Sequence, residues 1–91
     1  MTRIVVEEGG ERRAFRMVEG RVSLGSGEEA KVRLRSGDVA AVHADLELVG
    51  GLLTLVPRPG VLPPKVDGLL VKGAVALAPG ARIEIGSARL V

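Results

Sequence analysis

The chain contains no cysteine, tryptophan, tyrosine, asparagine or glutamine, and only one phenylalanine and one histidine among its 91 residues. Without cysteine it has neither disulfides nor thiolate metal sites. A single histidine offers no imidazole pair for a metal centre, and no cofactor is expected. Without Trp or Tyr there is no platform on which bases could stack, and the arginines are interspersed with glutamates. Nucleic acid is therefore a poor partner. No apolar run is long enough for a signal peptide or a membrane span, so the expected setting is cytoplasmic and away from membranes. The missing side-chain amides, with arginine preferred to lysine, match a thermophilic or GC-rich source.

What remains is aliphatic. A core built from Val, Leu, Ile and Ala packs well on pleated strands, which suits an all-β fold. A chain this short is read as one domain, residues 1–91, and buries only about 60–65% of the surface its unfolded form exposes. Thirteen Lys and Arg oppose eleven Asp and Glu, a net charge of +2. That balance describes an ordinary water-exposed surface.

The clearest pattern lies at residues 40–56. Apolar residues alternate with His43, Asp45 and Glu47 over residues 42–48, the period-2 mark of a half-buried strand. Gly50-Gly51 supplies a two-residue hairpin turn, and residues 52–56 return as an apolar partner strand. This hairpin is the expected core, and the face bearing His43, Asp45 and Glu47 is expected to be solvated. Further short strands are expected at residues 4–6, 12–18, 21–24, 31–35, 65–66, 69–72, 82–85 and 88–91. Phe15 and Met17 fall on one face with Arg13 and read as core. Asp67-Gly68 is a second hairpin signal, and the prolines at 57, 59, 63 and 64 mark a stiff loop. Many short strands at close spacing argue for a two-sheet β-sandwich of short antiparallel strands.

Catalytic motifs are weak. Gly25-x-Gly27-x-x-Ala30 follows a strand, but a dinucleotide site needs a helix next, and Glu28-Glu29 would repel the phosphates. Ser23, Ser26, Ser36 and Ser87 share one base, His43, and none sits in a nucleophile elbow. Asp38, Asp45 and Glu47 form no acid–base constellation. The chain is not expected to be an enzyme.

Several marks in fixed order resemble the forkhead-associated (FHA) domain. They are Leu24-Gly25 after a strand, Val32-Arg33-Leu34, and His43-Ala44-Asp45-Leu46 opening a strand. Val66-Asp67-Gly68, Leu77-x-x-Gly80 and Ile83-x-Ile85-Gly86 complete the series. The resemblance implies an FHA/SMAD-like sandwich with ligand loops gathered at one end, and a signalling module that reads phosphothreonine peptides. It also implies that His43 braces those loops. The chain departs from the family where phosphate is held. Ser26 stands where an arginine usually follows the first glycine, and Ala40 stands where a serine precedes the histidine by three. Gly60, Leu62, Pro63 and Pro64 replace the serine and Asn-Gly-Thr of the next loop. A phosphate dianion needs charge-assisted donors, each contributing about 1.5–3 kcal/mol.

Two expectations follow. The first is a phospho-independent interaction module that docks a protein or peptide through the 57–64 loop. Val61 and Leu62 would form its apolar tip, with Arg58 and Lys65 as a polar rim. Folding of Val61 and Leu62 back onto the core is the plain alternative. The second is anion or phosphopeptide binding by relocated residues: Ser26, Lys31, Arg33, Arg35 and Ser36. A weak homo-oligomer is compatible with either.

Overall fold

A computed structural model describes residues 2–35 and 37–91, with Thr2 described through its backbone alone. Among the described residues, eleven strands form two sheets. They are β1 (Thr2–Glu8), β2 (Glu11–Met17), β3 (Gly20–Gly25), β4 (Val32–Arg33), β5 (Ala44–Val49), β6 (Leu52–Pro57), β7 (Lys65–Val66), β8 (Leu69–Leu70), β9 (Val75–Leu77), β10 (Ile83–Ile85) and β11 (Ala88–Leu90). One sheet has the order β2-β1-β11-β10-β7-β8, the other β4-β3-β5-β6-β9. The β-sandwich reading holds. All described pairings are antiparallel except β3–β4, where Leu24 faces Val32 and Gly25 faces Arg33.

Alternation explains the core. Leu24, Ala44, Leu46, Leu48 and Leu55 point inward from the five-stranded sheet, and Ile4, Val6, Ile83, Ile85, Ala88 and Leu90 meet them from the six-stranded one. Each fully buried aliphatic side chain contributes about 1.5–3 kcal/mol of transfer free energy. Met17 is buried and Phe15 packs partly against the same cluster. The outer face of the six-stranded sheet is polar by register: Arg12, Glu7, Arg89, Glu84 and Lys65 stand opposite one another on successive strands, alternating in sign. Opposite charges at facing positions favour this register, which a one-residue slip would destroy.

The turns follow their residues. Both residues of Gly50-Gly51 have positive φ, as do Asp67 and Gly68, which is what a two-residue hairpin requires. Three expectations need correction. The strand expected at residues 31–35 shortens to Val32–Arg33, because the parallel pairing with β3 lasts two residues before the chain turns away. Strand β9 lacks a counterpart in the sequence reading: its three residues fall between alanines and carry no alternation signal. The face expected to be solvated is not: His43 is 1% and Asp45 4% exposed, and only Glu47 remains partly open. His43 precedes its strand and is enclosed by loops, while two arginines cover Asp45.

Gly25 shows why the chain needs a glycine after β3. A methyl group there would overlap the Ala41 carbonyl and lie 2.9 Å from the Val42 Cα, all backbone atoms. At Gly27 the same methyl would meet only the Glu29 carboxylate, at 2.9 Å, and that side chain can swing away. Gly25→Ala is expected to cost about 1–3 kcal/mol or more, and Gly27→Ala a small fraction of that. Urea denaturation midpoints of the two variants check the contrast.

Candidate functional site

Among the described residues, five connections converge on one end of the sandwich: the β1–β2 turn, residues 26–31, residues 34–35 with 37–43, residues 58–64 and the β10–β11 turn. Antiparallel pairing places the end of β3, the start of β5 and the end of β6 there, and register with β1 brings in the start of β11. Backbone bonds tie the loops into one body. Ser26 N–H donates to Ala40 O at 2.9 Å, Gly27 N–H to Ala41 O at 3.0 Å, and Arg58 N–H to His43 O at 3.0 Å.

His43 bonds to two of these loops. Its Nδ1 accepts the Ala40 N–H at 3.0 Å, which places the ring proton on Nε2, and Nε2–H donates to the Leu62 carbonyl at 2.8 Å. One imidazole thereby joins the β4–β5 loop to the β6–β7 loop. Its second partner, Leu62, has a backbone fixed at the brace and a side chain that is 68% exposed. Val61 is half-buried beside it.

Three carboxylates hold the remaining seams. Glu8, at the end of β1, accepts the Arg35 N–H with both oxygens, at 2.7 and 3.0 Å, and an Arg13 Nη2–H at 2.7 Å. Arg13 also donates to Arg33 O at 3.0 Å and lies over the Phe15 ring, 5.7 Å from its centroid. Asp38 accepts the Ser87 N–H at 3.1 Å and its hydroxyl at 2.9 Å, joining the β4–β5 loop to the β10–β11 turn. Asp45 takes Arg58 bidentately, at 2.9 and 3.1 Å, with Arg21 3.6 Å away. The Asp45 hydrogen bonds and charge raise the Arg58 pKa above its ordinary value, so that guanidinium is firmly charged.

The relocated basic residues are only partly assembled. Ser26, Arg33 and Arg35 line an open concavity together with Arg13 and Leu34. Lys31 stands apart, exposed, with its backbone N–H on Ser23 Oγ at 3.0 Å. Ser36 lies outside the described residues. The Ser26 hydroxyl donates inward to Val39 O at 2.8 Å, and Arg33 Nε–H bonds the Ser26 carbonyl at 3.1 Å. Arg35 is 3.6 Å from Glu11. The rim expected from Arg58 and Lys65 does not form. Arg58 lies on Asp45 over the outer face of the five-stranded sheet, whereas Lys65 faces Glu84 on the outer face of the other.

Sequence reasoning missed Glu8 and Arg13 as site residues. Arg13 left one signal, a charge on the apolar face of an alternating strand. Among the described residues, no group of three or more His, Asp or Glu could hold a metal ion, and no helix is long and apolar enough to cross a membrane.

This architecture is that of known structures. The FhaA FHA domain, solved with the intracellular domain of another protein, superposes with a TM-score of 0.89 at 22% identity, covering 99% of this chain and 98% of that one. The FHA domain of the CT664 protein from Chlamydia trachomatis gives 0.90 at 15% identity, covering 98% and 92%. The cytoplasmic domain of the T3SS sorting platform protein PscD from P. aeruginosa gives 0.85 at 26% identity, covering 98% and 76%. No family model matches the sequence, and no curated protein matches it. The chain has the FHA fold.

Two predictions test the site. His43→Ala orphans the Ala40 N–H and the Leu62 carbonyl and is expected to cost at least about 1–3 kcal/mol. Faster hydrogen exchange at the Ala40 amide in that variant is the check. The second concerns Asp38, whose carboxyl is held below its ordinary pKa of 3.8, first by the Ser87 N–H and then by its hydroxyl. The folded value lies below the unfolded one. The contribution is therefore complete above the unfolded pKa and is lost as pH falls through the folded value. Ser87→Ala is expected to move the Asp38 titration, followed by carboxyl ¹³C NMR, upward toward 3.8.

Proposed function

We propose that this chain is a non-catalytic protein-interaction module whose loop end recognises a protein or peptide partner without requiring a phosphate. The observation that carries this reading is the state of the donors. The Ser26 hydroxyl is spent on Val39 O, Arg13 on Glu8, and Arg58 on Asp45. Ala40 has no hydroxyl to offer. A phosphate dianion entering here would meet Arg13 paired with Glu8, Arg35 near Glu11 and Arg33 held through its Nε–H on the Ser26 carbonyl, so the two carboxylates would offset part of the attraction.

The surface left for recognition is the 57–64 loop. Prolines pre-order it, which reduces the entropy lost on docking. The His43 brace fixes its backbone at Leu62 and presents that side chain to solvent. Arg58, held by Asp45, stands at the start of the loop, and Lys65 follows its end on the other face. A cytoplasmic signalling role fits a module of this kind.

The concavity lined by Arg13, Ser26, Arg33 and Arg35 favours a second reading, anion or phosphopeptide binding. That binding would weaken steeply with salt, whereas docking on an apolar loop would not.

A ¹⁵N NMR titration with matched phosphothreonine and unphosphorylated peptide mixtures, at low and moderate salt, separates the two. The expected outcome is perturbation of residues 58–64 by either mixture, little changed by salt, and none specific to phosphate at residues 26–35. Val61→Asp with Leu62→Asp is expected to abolish that perturbation while leaving the far-UV spectrum unchanged. Saturable, phosphate-dependent shifts at residues 26–35 would overturn the reading.

A further inference from the structure

Register sorts the charges of the sandwich unevenly. On the outer face of the six-stranded sheet, one row is balanced: Arg12, Glu7, Arg89, Glu84 and Lys65 alternate in sign. The rows beside it are not. Val5 faces Ala14 and exchanges backbone bonds with Val91, at 3.0 and 2.9 Å, so these three form an apolar strip. The register of β10 with β11 sets Arg82 at one end of that strip. Beyond it, Arg3 faces Arg16 across β1–β2. Ala14 and Val91 are exposed and Val5 is half-buried.

Taken whole, the face carries Arg3, Arg12, Arg16, Arg82, Arg89 and Lys65 against Glu7, Glu84 and Asp67. That surplus exceeds the net charge of +2 of the entire chain and leaves the remaining side chains with a slight negative balance. The engaged arginines lie elsewhere: Arg13, Arg21, Arg35 and Arg58 each pair with a carboxylate. Among the described residues, neither Arg3 nor Arg82 makes an ion pair. Asp67, the acid opposite Arg82, gives its carboxylate to the Arg82 backbone N–H at 3.0 Å. Like charges directly opposite on adjacent strands repel, and an anion placed between Arg3 and Arg16 relieves that repulsion.

We propose that this face docks an acidic peptide segment in which two carboxylates flank an apolar residue. Strands about 4.8 Å apart that rise about 3.3 Å per residue put Arg3 about 12 Å from Arg82, diagonally across the strip. An extended chain covers about that distance in four residues, with the middle side chain turned to the same side as the two ends. The end carboxylates then reach Arg3 and Arg82, and the middle side chain covers Val5 and Val91. Glu7 and Glu84 select against other anions. A continuous phosphate backbone would run against them in the neighbouring row, whereas separated carboxylates avoid them. This face is distinct from the loop end, and the proposal does not rest on how that end is read.

The test is a ¹⁵N NMR titration of the full chain at low salt with an acetylated, amidated peptide that repeats Glu-Thr-Val-Thr. Saturable shifts are expected at the amides of residues 3–5, 14–16, 82 and 91, and they are expected to weaken steeply as salt is added. Gly in place of Val in the peptide is expected to weaken binding about threefold or more, and Lys in place of Glu to abolish it. Arg3→Glu and Arg82→Glu are each expected to weaken it about tenfold or more. Lys72→Glu makes the same charge change between β8 and β9 and is expected to bind as the wild type does. Arg3→Glu also turns a like-charge pair into an opposite one. It is therefore expected to unfold at no lower temperature than the wild type, so its lost binding is not lost fold. Shifts confined to residues 58–64, or no shifts, overturn the proposal. Binding unmoved by Arg3→Glu and Arg82→Glu, or weakened equally by Lys72→Glu, also overturns it. So does an oligodeoxythymidylate that binds the same residues as tightly as the peptide.

Discussion

The imidazole of His43 holds the loop end together. Ala40 donates to one ring nitrogen and the other donates to Leu62, so two long loops with no strand pairing between them share one rigid element. A neutral ring with one donor and one acceptor nitrogen is the side chain that suits two such partners. The brace works only because the loops approach closely, and Gly25 permits that approach by leaving no Cβ beneath Ala41 and Val42. The glycine and the histidine are two halves of one packing solution. Their placement on either side of the β3–β5 pairing explains why both open or close a strand.

Around that brace, the fold uses carboxylates as staples. Glu8, Asp38 and Asp45 each join elements distant in sequence, and each takes partners from backbone N–H groups or arginines. The same staples set what the loop end can bind. An arginine-rich surface attracts anions best with forks that are not already engaged, and here carboxylates engage Arg13, Arg21, Arg35 and Arg58. Part of the basic composition therefore serves to hold the sandwich together. A phosphate reader would need these arginines released, which would open the seams that they and the carboxylates close.

The architecture was largely legible because alternation is a local signal. Residues 44–49 and 52–57, the Gly50-Gly51 and Asp67-Gly68 turns and the closing strands all declare themselves within a few positions. What was not legible depends on distance. Asp45 reads as an outward, solvated residue by alternation, and it does point outward. Its burial comes from Arg58, thirteen residues away, and from Arg21 on the neighbouring strand. Glu8 reads as the end of a hairpin strand, and its bonds to Arg35 span twenty-seven residues. No local pattern encodes such a pair. The role of His43 came from the family resemblance, since an isolated histidine on an alternating strand is otherwise mute. Strand β9 was missed because residues 74–78 are all apolar and so show no apolar–polar alternation.

The two open sides of the sandwich differ in how their edges are covered. A sandwich of short strands cannot abolish its edges as a closed barrel does. On the β2/β4 side the edge strands carry several arginines, and side chains close the Arg33 carbonyl and the Arg35 N–H, bonds that also anchor the loop end. On the β8/β9 side the stretch from 69 to 78 carries one charge, Lys72. Undirected stickiness would expose the chain to aggregation, but the edge is interrupted by Lys72 and limited by a two-residue strand.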